Sequence, residues 1–255
     1  MKLALFVLFL AEFHGNVFSQ MVSDSFEVDG HYRSFHYRAP APVSKRASLV
    51  FVLHGSDGEG LEMVKHSTKL ALEAEAENFI LVYPDGYKRF WNECRKNAQS
   101  AANLENINEA GFFSGMISYF EKRFDIDTKN VFAVGASGGG HMAYKLALTM
   151  PHQFRAITAL IANLPDTSNF DCIAANVAIP VMIVNGTLDP TNIYTGGPVI
   201  MADGMNLGLV RSTDRTFHYW ASLAGYKGEP RKSLLPDTDP ADGKTIERYE
   251  YRKKG

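Results

Sequence analysis

The sequence is poor in cysteine, with only Cys94 and Cys172 in 255 residues, too few for a disulfide-built mini-domain. Neither belongs to a C-x-x-C pair or to a paired histidine spacing, so nothing calls for zinc or another metal. A surplus of one charge is lacking as well, with 26 Lys and Arg against 28 Asp and Glu and a net charge of -2. No basic block is longer than Arg252-Lys253-Lys254, so the electrostatic footprint of a nucleic-acid binder is missing. With 21 Gly, 11 Pro and 12% aromatic residues, the chain is neither collagen-like nor disordered.

Long apolar runs are also missing. Leu3 to Ala11 is apolar throughout, but as a helix it rises only about 14 Å against a hydrocarbon core of about 30 Å. Lys2 precedes it, and a more polar stretch leads to Val17-Phe18-Ser19, so residues 1–19 read as a secretory signal peptide. The mature chain is then expected to be secreted or periplasmic, with no membrane association once the signal is removed. In an oxidising compartment Cys94 and Cys172 either form one disulfide or remain thiols. At 45% apolar residues, residues 20–255 have the material for a single packed domain.

What the sequence does contain is short β-branched apolar runs alternating with segments of helical period, the pattern of an α/β domain with a mostly parallel sheet flanked by helices. Strands are expected at Phe26 to Val28 and His31 to Arg38 (a hairpin across Asp29-Gly30), Ser48 to Leu53, Phe79 to Tyr83, Val131 to Val134, Ala156 to Ile161, Val181 to Val184 and Thr245 to Tyr251. Helices are expected at about Leu61 to Glu77, Glu109 to Phe124, from the glycine run after Val134 to about Met150, and at Thr213 to Ala224. The long loop from Tyr87 to Leu104 carries Trp91 and Cys94, and loops of such length are often functional.

Gly135-Ala136-Ser137-Gly138-Gly139 is a G-x-S-x-G between an expected strand and an expected helix. Such an elbow turns so sharply that its serine backbone is strained and its neighbours must be small, while the hydroxyl projects at the carboxyl end of the sheet. Ser137 is therefore the candidate nucleophile. The motif is no dinucleotide fingerprint, since Ser137 stands where the second glycine of G-x-G-x-x-G belongs. Acyl transfer also needs donors for the developing oxyanion, and the backbone amides of Gly138 and of Ser56, in His54-Gly55-Ser56 after the Ser48 to Leu53 strand, occupy suitable positions. His54 reads as a residue that orients this loop. The acid should follow the nucleophile on the loop after a later strand, and Asp189, in Asn185-Gly186-Thr187-Leu188-Asp189-Pro190, fits. Trp91 is a candidate for stacking on a phenolic ring or a sugar, or else a packing aromatic.

At this point the chain resembles the secreted esterases of the polyhydroxybutyrate depolymerase and feruloyl or acetyl xylan esterase type, of α/β-hydrolase fold. The resemblance spans roughly Phe26 to Tyr251. It is carried by Leu53-His54-Gly55, Tyr83-Pro84-Asp85-Gly86 with Trp91-Asn92, Gly111-Phe112, Gly135 to Gly140 with Met142-Ala143, Asn185 to Pro190 with Tyr194-Thr195-Gly196-Gly197, Trp220 and Leu235-Pro236-Asp237. It implies cofactor-free hydrolysis of carboxylic esters in polyesters or esterified plant polysaccharides, with Ser137 as nucleophile and Asp189 as acid. Asn185 stands where the family usually has His, and Asn108-Glu109 where it has an Asp pair. The family's catalytic His, in a Gly-Gly-His segment after one more strand, has no counterpart before Gly255. The expectation is a C-terminally incomplete copy that lacks its last strand and general base. Only His218 follows Asp189, and it falls within an expected helix. The alternatives are a catalytically silent ligand-binding relative, or an enzyme that draws its base from His218 or another residue.

Overall fold

The computed structural model describes residues 20–252, so the segment read as a signal peptide lies outside the described residues. Strands β1 (Val22–Val28) and β2 (His31–Arg38) form the expected antiparallel hairpin. They join β3 (Ser48–Leu53), β4 (Phe79–Pro84), β5 (Val131–Ala136), β6 (Ala156–Leu160) and β7 (Val181–Val184) in a seven-stranded sheet of order β1-β2-β4-β3-β5-β6-β7. β2 runs antiparallel to β4, and every pairing from β4 to β7 is parallel. Parallel strands need crossovers; helices supply them from β3 to β6, and an irregular segment with one short 3-10 turn, Thr167–Asn169, links β6 to β7. All parallel strands therefore present their carboxyl ends at one edge of the sheet.

The helices lie where the apolar spacing puts them. In α4 (Glu109–Phe124) the side chains of Phe112, Phe113, Met116, Ile117 and Phe120 are buried along one stripe, Asn108 caps the first turn by accepting from the Gly111 amide, and Asp125 closes the end at φ 53°. α5 (Gly138–Thr149) is buried on nearly every side. α6 (Thr213–Leu223) packs Trp220 on Tyr144 of α5 at 5.8 Å between ring centroids. Where one helix from Leu61 to Glu77 is expected, there are two, α1 (Gly60–His66) and α2 (Thr68–Glu77), parted at Ser67. The Ser67 hydroxyl bonds to the Tyr83 hydroxyl at 2.9 Å, and its backbone leaves the helical region. A further short helix, α3 (Ala101–Leu104), lies in the long loop.

Two hairpins stand outside the central sheet. β8 (Gly197–Ile200) pairs with β9 (Asn206–Val210), and β10 (Arg231–Leu234) with β11 (Glu247–Glu250). The strand expected from Thr245 to Tyr251 is thus real, though shorter, and it pairs locally. β7 is the last strand of the central sheet among the described residues, and Met182 and Val184 are 55% and 47% exposed on it. Cys94 and Cys172 form a disulfide with Cα atoms 5.1 Å apart, tying the loop after β4 to the segment after β6. Among the described residues no helix is long and apolar enough to cross a membrane.

Candidate active site

Ser137 sits between β5 and α5 with φ 52° and ψ -116°, a backbone that non-glycine residues adopt only when their surroundings enforce it. The enforcement is visible on both sides. The Ser137 amide continues the sheet ladder to the Leu160 carbonyl at 2.9 Å, and its carbonyl accepts from the His141 amide at 3.0 Å. Glycine is required at Gly135, where a Cβ would collide with the Gly139 carbonyl, and at Gly139, where it would meet the Leu53 carbonyl. The tight turn thrusts a half-buried serine out of the sheet edge.

Beside it lie the two candidate oxyanion amides. The Cβ position of Gly138 is 2.7 Å from the Ser56 nitrogen, and that of Gly55 is 3.6 Å from Ser137 Cβ, so the backbones of residues 55–56 and 137–138 abut. The Gly138 N–H belongs to the first turn of α5 and has no partner within the helix. His54, which precedes this loop, is 1% exposed. Its Nε2 accepts from the Gly86 amide at 2.8 Å, so Nδ1 carries the proton and donates to the Gly55 carbonyl at 2.7 Å. Burial holds its pKa below the usual imidazole value and keeps it neutral. His54 therefore orients the loop.

Trp91 corrects an expectation. It is 2% exposed, donates its indole N–H to the His54 carbonyl at 2.9 Å, and packs on the His54 and Phe113 rings. An indole filling the space beneath the oxyanion loop has no face left for a phenolic ring or a sugar, so Trp91 is a packing residue.

Asp189 follows β7. The register aligns Ala136 with Leu160 and Leu160 with Val184, so Ser137 and the start of the Asp189 loop leave the same sheet edge two strand spacings, about 10 Å, apart. Asp189 Oδ1 accepts from the Thr191 and Asn192 amides, both at 2.8 Å, which fixes the carboxylate's orientation. Asn185 braces this loop: its side chain bonds the Ala162 amide and carbonyl, Asn163 Oδ1 and Thr213 Oγ1. Glu109 pairs with buried Arg33 at 2.9 Å and accepts from the Asn92 amide.

Among the described residues no histidine is hydrogen-bonded to the Ser137 hydroxyl. His218 is exposed on α6 and packs its ring against Phe217. His141 is buried on the first turn of α5, where desolvation holds its pKa well below the usual value. Its Nε2 lies 3.4 Å from Asn192 Oδ1, and its Nδ1 has no partner among the described residues. The His141–Asn192 contact, which joins the helix after the elbow to the Asp189 loop, was not foreseen in the sequence, because α5 is buried on faces that an amphipathic helix would expose.

No protein-family model matches the chain. NocK of Nocardia uniformis subsp. tsuyamanensis, whose name assigns it provisionally to the esterases, is 26% identical over 81% of this chain and 60% of its own length. The bifunctional acetylxylan esterase/xylanase XynS20E of Neocallimastix patriciarum is 26% identical over 68% of this chain and 24% of its own length. Feruloyl esterase C of Emericella nidulans is 29% identical over 60% and 53%. The chain thus spans between a quarter and three fifths of the length of these curated relatives. Among solved structures, an acetyl xylan esterase from Aspergillus awamori superposes with a TM-score of 0.55 at 16% identity over 79% of each chain. Native pOPH superposes at 0.55 with 15% identity over 76% of this chain and 72% of that one. The chain has the α/β-hydrolase fold, and the relatives to which its sequence aligns are esterases.

Proposed function

We propose that the protein is a serine carboxylic ester hydrolase acting on acyl groups esterified to plant polysaccharide, acetyl or feruloyl. The observation that carries this reading is the strained Ser137 backbone abutting the Ser56 and Gly138 amides. Ser137 Oγ attacks the ester carbonyl. The Ser56 and Gly138 amides receive the negative charge that develops on the carbonyl oxygen, where each such donor is worth about 3 kcal/mol of barrier. Asp189 orients the base and stabilises its protonated form. Among the described residues no histidine is bonded to Ser137, and this reading assigns the base to none of them. The named substrates of the relatives, acetylxylan and feruloyl esters, support the substrate class. The tests are release of acetate from acetylated xylan fragments and of ferulate from feruloylated ones, each beside Ser137→Ala. Acyl release that vanishes with Ser137→Ala supports the reading, and release that survives the substitution contradicts it.

The lack of a bonded histidine favours a second reading, a silent relative that keeps the ester pocket. Calorimetry on acetylated xylan fragments would then show binding with no acyl release by any form of the protein.

A further inference from the structure

We propose that Arg89 is a positioning residue for the oxyanion loop, acting through Asp57 on the amide of Ser56; the inference rests on the reading of Ser56 and Gly138 as oxyanion donors. Residues 55–58 form a turn closed by the Gly58 amide on the Gly55 carbonyl at 3.2 Å. Asp57, its third residue, has φ 58°, a backbone that turns usually give to glycine or asparagine. Its side chain is 65% exposed, so burial does not hold it. Arg89 does: its Nε donates to Asp57 Oδ1 at 2.8 Å and to the Asp57 carbonyl at 3.1 Å, and its Nη2 reaches the same carbonyl. Nη1 pairs with Glu59. Only a planar fork of several donors spans a carbonyl and two carboxylates in this way.

Arg89 is presented by an unusual backbone. Lys88 and Arg89 are consecutive non-glycine residues at φ 47° and 72°, and such outliers persist where the surroundings over-determine them. The same short segment grips the loop twice more, through the Gly86 amide on His54 Nε2 and the Trp91 indole on the His54 carbonyl. Those two contacts secure the chain before Ser56, and Arg89 secures it after. Without Arg89 the chain after Ser56 keeps the Gly58 turn bond and the Gly60 amide on Asp85 Oδ1 at 2.7 Å, but Asp57, the residue between them and Ser56, loses the partners of its carboxylate and carbonyl.

An oxyanion donor works by being in place before the charge develops, and a displacement of about 1 Å can cost about a hundredfold in rate. Arg89→Ala is therefore expected to lower kcat for an aryl acetate by about tenfold or more while KM stays within about twofold. Arg89→Lys keeps the charge and loses the fork, and is expected to recover no more than about twofold of that loss. Amide hydrogen exchange reads the same claim without turnover: in Arg89→Ala the Gly58 amide, which closes the turn on the Gly55 carbonyl, exchanges at least about tenfold faster, and the Gly60 amide, bonded to Asp85 Oδ1, is unchanged. Unchanged exchange at Gly58, or full rescue by Arg89→Lys, overturns the proposal. Hydrolysis that does not depend on Ser137 overturns the functional reading instead, and the exchange measurement still decides whether Arg89 holds the loop.

Discussion

Ser137 adopts φ 52° and ψ -116°, and backbone of this kind costs about 1–3 kcal/mol. Glycine bears no such penalty but loses more entropy on folding, by about 0.5–1 kcal/mol. Ser137→Gly is therefore expected to be more stable than Ser137→Ala by about 1 kcal/mol in urea unfolding, and equal stability would show that the turn is unstrained. His54 and His141 make a second prediction at this scale. Burial depresses both pKa values, so the unfolded chain binds protons that the folded chain refuses. Stability is then level above the ordinary imidazole pKa of about 6.5 and falls as pH drops below it, by at most about tenfold in the unfolding constant per pH unit for each group. His141→Met should flatten the loss between pH 7 and pH 5, and an unchanged slope would remove His141 from the account.

At the scale of elements, strands and helices with a clean period are legible in the sequence: β2, β3, β7 and α4 fall on the expected residues. The misses have physical causes. Ser67 finds a partner in Tyr83 and splits a helix that apolar spacing alone makes continuous. The β8–β9 hairpin is disguised by Gly197 and by Gly208, whose φ is 82° and whose Cβ would collide with the Asn169 side chain. Ser137, Gly138, Ser56 and Asp189 could be placed because strand ends and turn residues mark them. The packing role of Trp91 is settled by its burial against His54 and Phe113, which spacing does not encode. The disulfide was an open alternative for the same reason: residues 78 apart in sequence meet only through the fold. Closing a loop of this size typically contributes 2–4 kcal/mol. Replacing both cysteines by alanine should lower stability by about that much, and a loss well under 1 kcal/mol would mean that the loop is held without it.

For the molecule as a whole, the sheet places Ser137, Ser56 and the Asp189 loop at one edge, while β7 leaves Met182 and Val184 exposed. An unpaired apolar strand templates association between chains. Met182→Lys should reduce aggregation of residues 20–255, seen by light scattering, at unchanged helicity, and undiminished scattering would locate the sticky surface elsewhere. On the proposed reading Ser137 is a nucleophile set against a preformed pair of oxyanion amides. The measurement that tests it most directly is hydrolysis of an aryl acetate by residues 20–255 with and without added imidazole, beside Ser137→Ala. The expected result is weak turnover that rises with imidazole beyond the level of the Ser137→Ala control, because the free base takes the hydroxyl proton. Folded protein whose rate matches Ser137→Ala at every imidazole concentration would contradict it.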